Sequence, residues 1–468
     1  MNHALSNLLR DAQACHEREP QNVPLIRDMC RALVAHQFED AALPWTERGL
    51  ALTPHDAEFV HLRVNALNLV GRHAEAAALL MAERSLLWPP AAFELKLGYS
   101  LMMAGDLEQA IARLDEAGRI AHASNHALIP KAAHLLGEAL LKHGDGRGFA
   151  FWTMRNLDPG AGGSYCAADI SPWSREDDLR GKRVLITHQL GFGDQFLLAA
   201  ALADFQAAGA SLLLMSDPQI HRLMQASLPD IEVISAERPL EMGEPLPAEV
   251  HAKVAAFSPD FQMPSLFAPV LASDQASRAQ PFRPYMRAPA DKRAIAAAWS
   301  QQLRTQNPGK RLVGLFWDCS QRHSPEVGSV MRCWAARRSI PLEGINRLVL
   351  DPAVTRPVQF VNLHHPLVEP MAGVPAGDVV RYSPGVFQFD DTAACIGELD
   401  AVISVDSSVA NLAAMMGKPT CVAVNTTGDW RWGSAGAATP WIGGVTVLRQ
   451  KMEGDWAPVL RDMAAWLG

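Results

Sequence analysis

The sequence predicts an α + α/β chain, with helical repeats first and then two doubly wound halves built on parallel sheets. Three observations carry that reading. Leu and Ala recur at three- and four-residue spacing as far as about Arg155, without strand-like runs of Val, Ile or Thr. From Lys182 onward, short Val-, Ile- and Leu-rich runs alternate with helical ones, as in a parallel sheet covered on both faces. Near the C-terminus a buried-strand pattern at 401–405 runs through Asp406, Ser407 and Ser408 into a helical run at 409–416, stopped by Gly417 and Pro419.

The helical region repeats itself. His36-Gln-Phe-Glu-Asp-Ala-Ala42 is echoed by Gly71-Arg-His-Ala-Glu-Ala-Ala77 and by Gly105-Asp-Leu-Glu-Gln-Ala110, at offsets of 35 and 34 residues, and Pro54 and Pro89 are 35 apart. That is the period of tetratricopeptide helix pairs, in which a small residue lets two helices approach and Pro ends the second. A fourth, degenerate unit starts at Gly144, and the consensus aromatics are mostly absent. Residues 156–178, rich in Gly, Pro, Ser and Asp, read as a linker.

The first α/β half reads as strand 182–187, helix 196–208, strand 210–215, helix 219–227 and strand 231–234, followed by a Pro-rich surface loop at 238–247. Gln280-Pro-Phe-Arg-Pro-Tyr285 reads as an interdomain linker. The second half reads as helix 291–303, strands 311–317 and 358–363, helix 390–399, strands 401–405 and 420–424, and a final helix 456–467 that could pack back on the first half. Two such halves place a ligand cleft at their facing strand ends. The expected domains are 1–155 (helical repeats), 156–180 (linker), 181–285 (first α/β domain) and 286–468 (second α/β domain).

Composition narrows the function classes. A chain of 468 residues is too long for one ordinary domain. Its net charge of −8 and pI of about 6.1 argue against a general nucleic-acid or anionic-membrane binder. Seven scattered cysteines form no CxxC pair, so a reducing cytoplasm is the expected home. No signal peptide and no apolar run of membrane-spanning length is read in the sequence.

Several places could carry chemistry. Ser407 or Ser408 at the start of a helix offers hydroxyls and free N–H groups to an anion, phosphate above all. The loop Gly191-Phe-Gly193-Asp194 permits a tight turn but lacks the third glycine of a dinucleotide fingerprint. Asp194 there either takes a proton from an acceptor hydroxyl or only caps the following helix. After Trp317, a long loop carries Arg322, His323, Arg332, Arg337 and Arg338. Its guanidinium groups either grip phosphate or pair with surface acids. Asp429-Trp430-Arg431-Trp432 either stacks on a base or sugar or forms a buried Trp pair with a stacked Arg. Neither a histidine metal motif, a Gly-x-Ser-x-Gly elbow nor a Walker-type Lys is present.

Taken in order, these motifs resemble bacterial tetratricopeptide-repeat proteins fused to a glycosyltransferase domain akin to the heptosyltransferases. The resemblance covers most of the chain. It runs through Gly144-Asp145, Gly148-Phe149 and Trp152-Thr-Met-Arg155, the loop Gly191-Phe-Gly193-Asp194, the segment Asp260-Phe-Gln-Met-Pro-Ser-Leu266, and Pro284-Tyr285. It continues through Trp317, Arg338-Ser339, Asp406-Ser407-Ser-Val-Ala-Asn411-Leu-Ala413, Asp429-Trp-Arg-Trp432, Trp441 and Arg449-Gln450. Two positions depart from the family pattern: Asn411 stands where His is usual, and Asp318-Cys319-Ser320 replaces a small residue, Gly and a polar residue.

The resemblance implies a GT-B fold of two Rossmann-like domains, acceptor-side first and donor-side second, and metal-independent transfer from a nucleotide-sugar cosubstrate, with no cofactor. It implies that Asp194 is the general base. Ser407, Ser408 and Asn411 would surround the donor diphosphate, and Arg338 would offset its charge. Asp406 would bind a sugar hydroxyl or hold its loop, and Gly191, Gly193, Gln195, Trp317, Ser339, Asp429, Trp430 and Arg431 would complete the donor site. The repeats point to a protein acceptor, and flagellin or another surface protein is the expected candidate, though no residue of the sequence specifies it. The two departures motivate a competing reading, an inactive scaffold that binds protein partners. A third reading, a sugar-nucleotide epimerase, leaves the repeats without a purpose.

Overall fold

The computed structural model describes residues 10, 13–14, 17–36, 38–84, 89–124, 127–157, 167, 169–237, 246–273, 282–319 and 328–468. Most of the Pro-rich stretch 238–247, and Ser320, Arg322 and His323, therefore lie outside the described residues. The chain forms two compact units, Met1–Ala139 with Cys319–Ser339, and Leu140–Asp318 with Ile340–Gly468.

The first unit is a stack of helix pairs: α1 (Val23–Ala35) with α2 (Leu43–Leu52), α3 (Ala57–Leu69) with α4 (His73–Ala82), and α5 (Pro90–Ala104) with α6 (Leu107–Ala123). Short polar side chains start three of them. Asn22, Asp56 and Asp106 accept hydrogen bonds from first-turn N–H groups. Gly71 and Gly105 make the turns inside the second and third pairs in left-handed backbone, at φ 89° and 91°. Gly98 lets α5 and α6 touch, since a methyl group there would lie 2.7 Å from Leu114 Cγ.

The segment after Trp317 belongs to this unit and differs from the expected loop. Residues Ser329–Arg338 form a helix, because the run contains neither Gly nor Pro and places Arg337 and Arg338 at the negative end of the helix dipole. Ser329 donates to Glu39, and Arg332 lies 3.5 Å from Asp40 and 4.8 Å over the Phe38 ring. The Arg337 guanidinium crosses Gly71 so closely that a methyl group there would be 2.8 Å from it.

In the second unit the described elements are α7 (Ile129–His143, which carries the chain in from the first unit), α8 (Gly148–Trp152), β1 (Arg183–Thr187), α9 (Phe192–Leu198), β2 (Ser211–Ser216), α10 (His221–Ser227), β3 (Glu232–Ser235) and β4 (Phe261–Pro264). After these come α11 (Ala290–Gln306), β5 (Arg311–Phe316), α12 (Leu342–Val349), β6 (Val358–Asn362), β7 (Val379–Arg381), α13 (Phe389–Glu398), β8 (Ala401–Val405), α14 (Ser408–Met415), β9 (Thr420–Val424), β10 (Val445–Arg449) and α15 (Ala457–Leu467). The helix Ala248–Phe257 and several shorter helical segments lie between some of them.

Every strand pair is parallel. One sheet has the order β3-β2-β1-β4 and the other β10-β9-β8-β5-β6-β7. Each reverses direction of growth once, between β1 and β4 and between β5 and β8, and such switch points open crevices at the strand C-termini. These are two Rossmann-like lobes, the GT-B arrangement. Strands β4, β7 and β10 escaped the sequence reading because each is short or interrupted by polar residues. Part of the expected linker is also structured: Gln262 of β4 exchanges backbone hydrogen bonds with Ser171 and Trp173, and Trp173 is buried against Phe205.

The two lobes share one apolar core. The Tyr285 hydroxyl donates to the Phe196 carbonyl at 2.9 Å, and the N–H groups of Tyr285 and Met286 both donate to the Met415 carbonyl. The linker is thus bonded to both lobes. The final helix packs on elements of the second lobe. Its apolar residues Val459, Leu460 and Met463 are buried, it packs on α12, β9 and β10, and Arg311 donates to its last-turn carbonyl at Leu467.

Lys96 on α5 donates to Asn65 Oδ1 at 2.6 Å, and burial, with Lys131 adding repulsion, pushes its ammonium down to about 8 from an ordinary 10.5. The unfolded chain then binds that proton more tightly than the folded one. The penalty is complete below pH 8 and fades as pH rises toward 10.5. Lys96→Met should therefore stabilise the protein by up to about 3 kcal/mol at pH 7, and the gain should shrink steadily between pH 8 and 10.5 in urea unfolding.

Candidate active site between the Rossmann-like lobes

β1 ends at Thr187, and the chain turns through 188–191 before α9. Gly191 is the N-cap of α9, so the helix begins four residues before the expected 196. Asp194 does not cap it. It stands in the first turn, where a carboxylate faces the positive end of the dipole. Gln195 turns inward: its amide donates to Asp217 Oδ2 at 2.6 Å and to the Leu190 carbonyl at 3.0 Å. His188 Nε2 lies 3.7 Å from the other oxygen of Asp217. This buried set ties the exits of β1 and β2 together, so Gln195 holds the Gly loop from behind.

From the other lobe, β8 leads through Asp406 into α14. Ser407 is extended, and its Oγ accepts from Ala410 N at 3.3 Å and shares a 2.9 Å hydrogen bond with Ser404. Ser408, partly exposed, is the first helical residue, and Asp406 is buried beneath it. Asn411 is buried and its amide donates back to the Ser407 carbonyl at 3.1 Å. Gly193 lies directly on this turn. A methyl group at Gly193 would be 3.1 Å from Ser408 Cα and 2.8 Å from Asn411 Nδ2.

Arg431 completes the assembly. It sits on the single turn Trp430–Trp432, whose N-cap is Asp429. Its guanidinium pairs with Asp194 of the opposite lobe, lies 2.5 Å from Asp429 Oδ1, and is stacked 4.9 Å over the Trp430 ring. Trp430 and Trp432 are buried. Trp430 makes edge contacts with Phe149, Trp152 and Trp441 at centroid distances of 5.7, 5.3 and 6.3 Å. The arrangement matches the reading of a buried Trp pair with a stacked Arg, because Arg431 lies over one face of Trp430 and aromatic edges from α8 pack against that indole.

The turn is held from behind. Lys142, buried on α7, donates to the carbonyls of Thr427 at 2.6 Å and Gly428 at 2.5 Å. Asn425 Oδ1 accepts from Gly428 N, and Trp441 Nε1 donates to the Trp430 carbonyl at 3.1 Å and the Leu141 carbonyl at 3.2 Å. Arg449 donates to the Trp432 carbonyl, and burial pushes its guanidinium down to about 10.

Thus Gly191, Gly193, Asp194, Ser407, Ser408, Asn411, Asp429 and Arg431 come together. Trp317 is a core residue: its indole donates to the Ala372 carbonyl at 3.3 Å and packs on His364. Arg338 and Ser339 fall in the first unit, Arg338 over Trp334 and Ser339 bonded to Ala335 and Cys319. The sequence reading missed His188, Asp217, Ser404, Asn425 and Lys142. Polar residues right after the β1 and β2 runs signalled the first two. Nothing local signals Lys142, whose partners are backbone carbonyls 285 and 286 residues away.

The fold defines an α + α/β protein in which tetratricopeptide-like helix pairs are followed by two Rossmann-like lobes in the GT-B arrangement. No family model matches the chain. It is similar to Protein FlbA of Caulobacter vibrioides, 26% identical over 520 residues covering 98% of this chain and 81% of that one. Among solved structures it is similar to a glycosyl transferase family 9 protein from Veillonella parvula (13% identical, 62% of this chain and 91% of that one, TM-score 0.42). It is also similar to an O-GlcNAc transferase from Thermobaculum terrenum (16% identical, 95% and 89%, TM-score 0.30).

Gly193→Ala should cost about 1–3 kcal/mol, because helix α14 and Asn411 cannot both retreat. Gly191→Ala should cost less than about 0.5 kcal/mol, since its methyl would lie 3.5 Å from Asp194 Oδ2, in ordinary contact. Denaturant unfolding of the two variants checks the difference.

Proposed function

We propose that this chain is a glycosyltransferase that moves a sugar from a nucleotide-activated donor to a hydroxyl of a protein acceptor held by the repeats. The observation that carries the reading is the meeting of Asp194, the N-terminus of α14 and Arg431 at the carboxyl ends of two parallel sheets. A carboxylate able to take a proton stands beside N–H groups and a guanidinium able to hold a diphosphate.

In this reading Asp194 accepts the proton of the acceptor hydroxyl. The hydroxyl oxygen bonds to the anomeric carbon of the sugar as the bond from that carbon to the diphosphate breaks. The bonding pair leaves with the diphosphate. The N–H groups at the start of α14 and the Arg431 guanidinium, fixed before the reaction, offset the charge that develops there, with no metal required. The resemblance places that cationic role on Arg338; we assign it to Arg431, because Arg431 is the cation that stands at Asp194. Ser404 holds the loop through its hydrogen bond to Ser407, and Asp406 either binds a sugar hydroxyl or holds the same loop.

The helix pairs of the first unit support a protein acceptor, since stacked pairs of this kind offer an extended surface to a peptide. We take that acceptor to be flagellin or another surface protein, modified in the cytoplasm. One observation favours a second reading, an inactive binding scaffold: Asn411, where the resembling family carries His, spends its amide on the Ser407 carbonyl.

Incubation with a panel of nucleotide sugars separates the two. The transferase reading expects donor binding and slow donor hydrolysis, and Asp194→Asn should lower turnover at least about 100-fold while donor stays bound. Absence of binding at millimolar donor across the panel would favour the scaffold.

A further inference from the structure

We infer that Arg431 is shared between Asp194 and the donor diphosphate, so that donor binding itself releases the base. The inference rests on the glycosyl-transfer reading and deepens it. Arg431 has two edges in use: one toward Asp429 on its own lobe, the other toward Asp194 on the opposite lobe. Asp429 and the Trp430 face fix the plane and one edge of the guanidinium. Lys142, Arg449 and Trp441 hold the turn beneath it by its carbonyls. Arg431 can therefore exchange Asp194 for another anion at its second edge without leaving its place.

That edge faces Asp194, which follows the glycine packed on the start of α14. Gly193 puts the first turn of α9 against Ser408 and Asn411, so Asp194 and the N-terminus of α14 border the same spot. A donor seated on the α14 N–H groups brings negative charge into competition with Asp194 for Arg431. While paired with Arg431, the Asp194 carboxylate faces the guanidinium rather than an acceptor hydroxyl. Once the diphosphate takes the guanidinium, the carboxylate is released beside the acceptor position. The device orders the reaction, donor first, and keeps the base idle until a leaving group is in place.

The same competition makes an unusual demand: disabling the base must improve donor binding, and only through Arg431. Calorimetric titration with ADP, CDP, GDP, UDP and dTDP identifies the nucleoside diphosphate that the wild-type protein holds best, which then serves as probe. Asp194→Asn should bind it about tenfold tighter than wild type. Arg431→Gln should bind it about tenfold more weakly. In the Arg431→Gln background, adding Asp194→Asn should change affinity less than twofold.

An Asp194→Asn protein with unchanged or weaker affinity overturns the sharing. So does a tightening that persists without Arg431, which would mean direct repulsion between Asp194 and the ligand. If none of the five diphosphates binds wild type, the glycosyl-transfer reading falls and the sharing with it. Binding by wild type without the Arg431-dependent gain sinks the sharing alone. Should Arg431→Gln fail to fold, Arg431→Lys, which keeps the charge but loses the two-edged fork, must cut the Asp194→Asn gain by more than half.

Discussion

The contact between Gly193 and the first turn of α14 sets the geometry of the site. A hydrogen at that position lets the backbone of one lobe lie on Ser408 and Asn411 of the other, and any side chain would hold them apart. Because Asp194 follows Gly193 directly and Ser407 precedes Ser408, this one approach brings a carboxylate from the first sheet to a helix N-terminus on the second. The shared apolar core and the hydrogen bonds of Tyr285 and Met286 hold the lobes in that relation. The hydrophobic term supplies affinity between lobes, while the glycine sets register.

Arg431 shows how a charged group is held where burial would otherwise be costly. Two carboxylates, an indole face and a turn bonded from several directions surround it. The supports come from far apart in sequence: Lys142 and Leu141 on α7, Trp441 beyond the turn, Arg449 on β10. Lys142, Trp441 and Arg449 each satisfy a backbone carbonyl that a buried turn would leave unpaired, and the Leu141 carbonyl accepts from Trp441. The aromatic residues Phe149 and Trp152, read as the opening of the catalytic part, therefore act by packing beneath Trp430.

The excursion of Cys319–Ser339 into the first unit shows that sequence order and structural membership differ in this chain. Its helix uses Ser329, Arg332 and Arg337 to bond Glu39 and Asp40 and to cross Gly71. An arginine-rich stretch after a strand of a Rossmann-like sheet invites a phosphate-binding reading. Here Arg332 faces an acid and an aromatic ring of the repeat unit, a pairing that charge alone favours as well as phosphate would.

Much of the fold was legible in the sequence because it depends on local patterns: the 34- and 35-residue repeat of helix pairs, the strand runs at 401–405 and 420–424, the Ser407 cap and the left-handed Gly417 that closes α14. Periodicity, capping and turn chemistry act over a few residues and need no partner elsewhere. Tertiary structure alone decided which marked residues reach the site. Trp317, Trp430 and Gln195 are drawn inward by distant neighbours, Arg338 goes to the other unit, and Arg431 meets Asp194 across 237 residues of chain. Side-chain fate of that kind is set by long-range packing and by the pairing of buried charge, neither of which leaves a local signature.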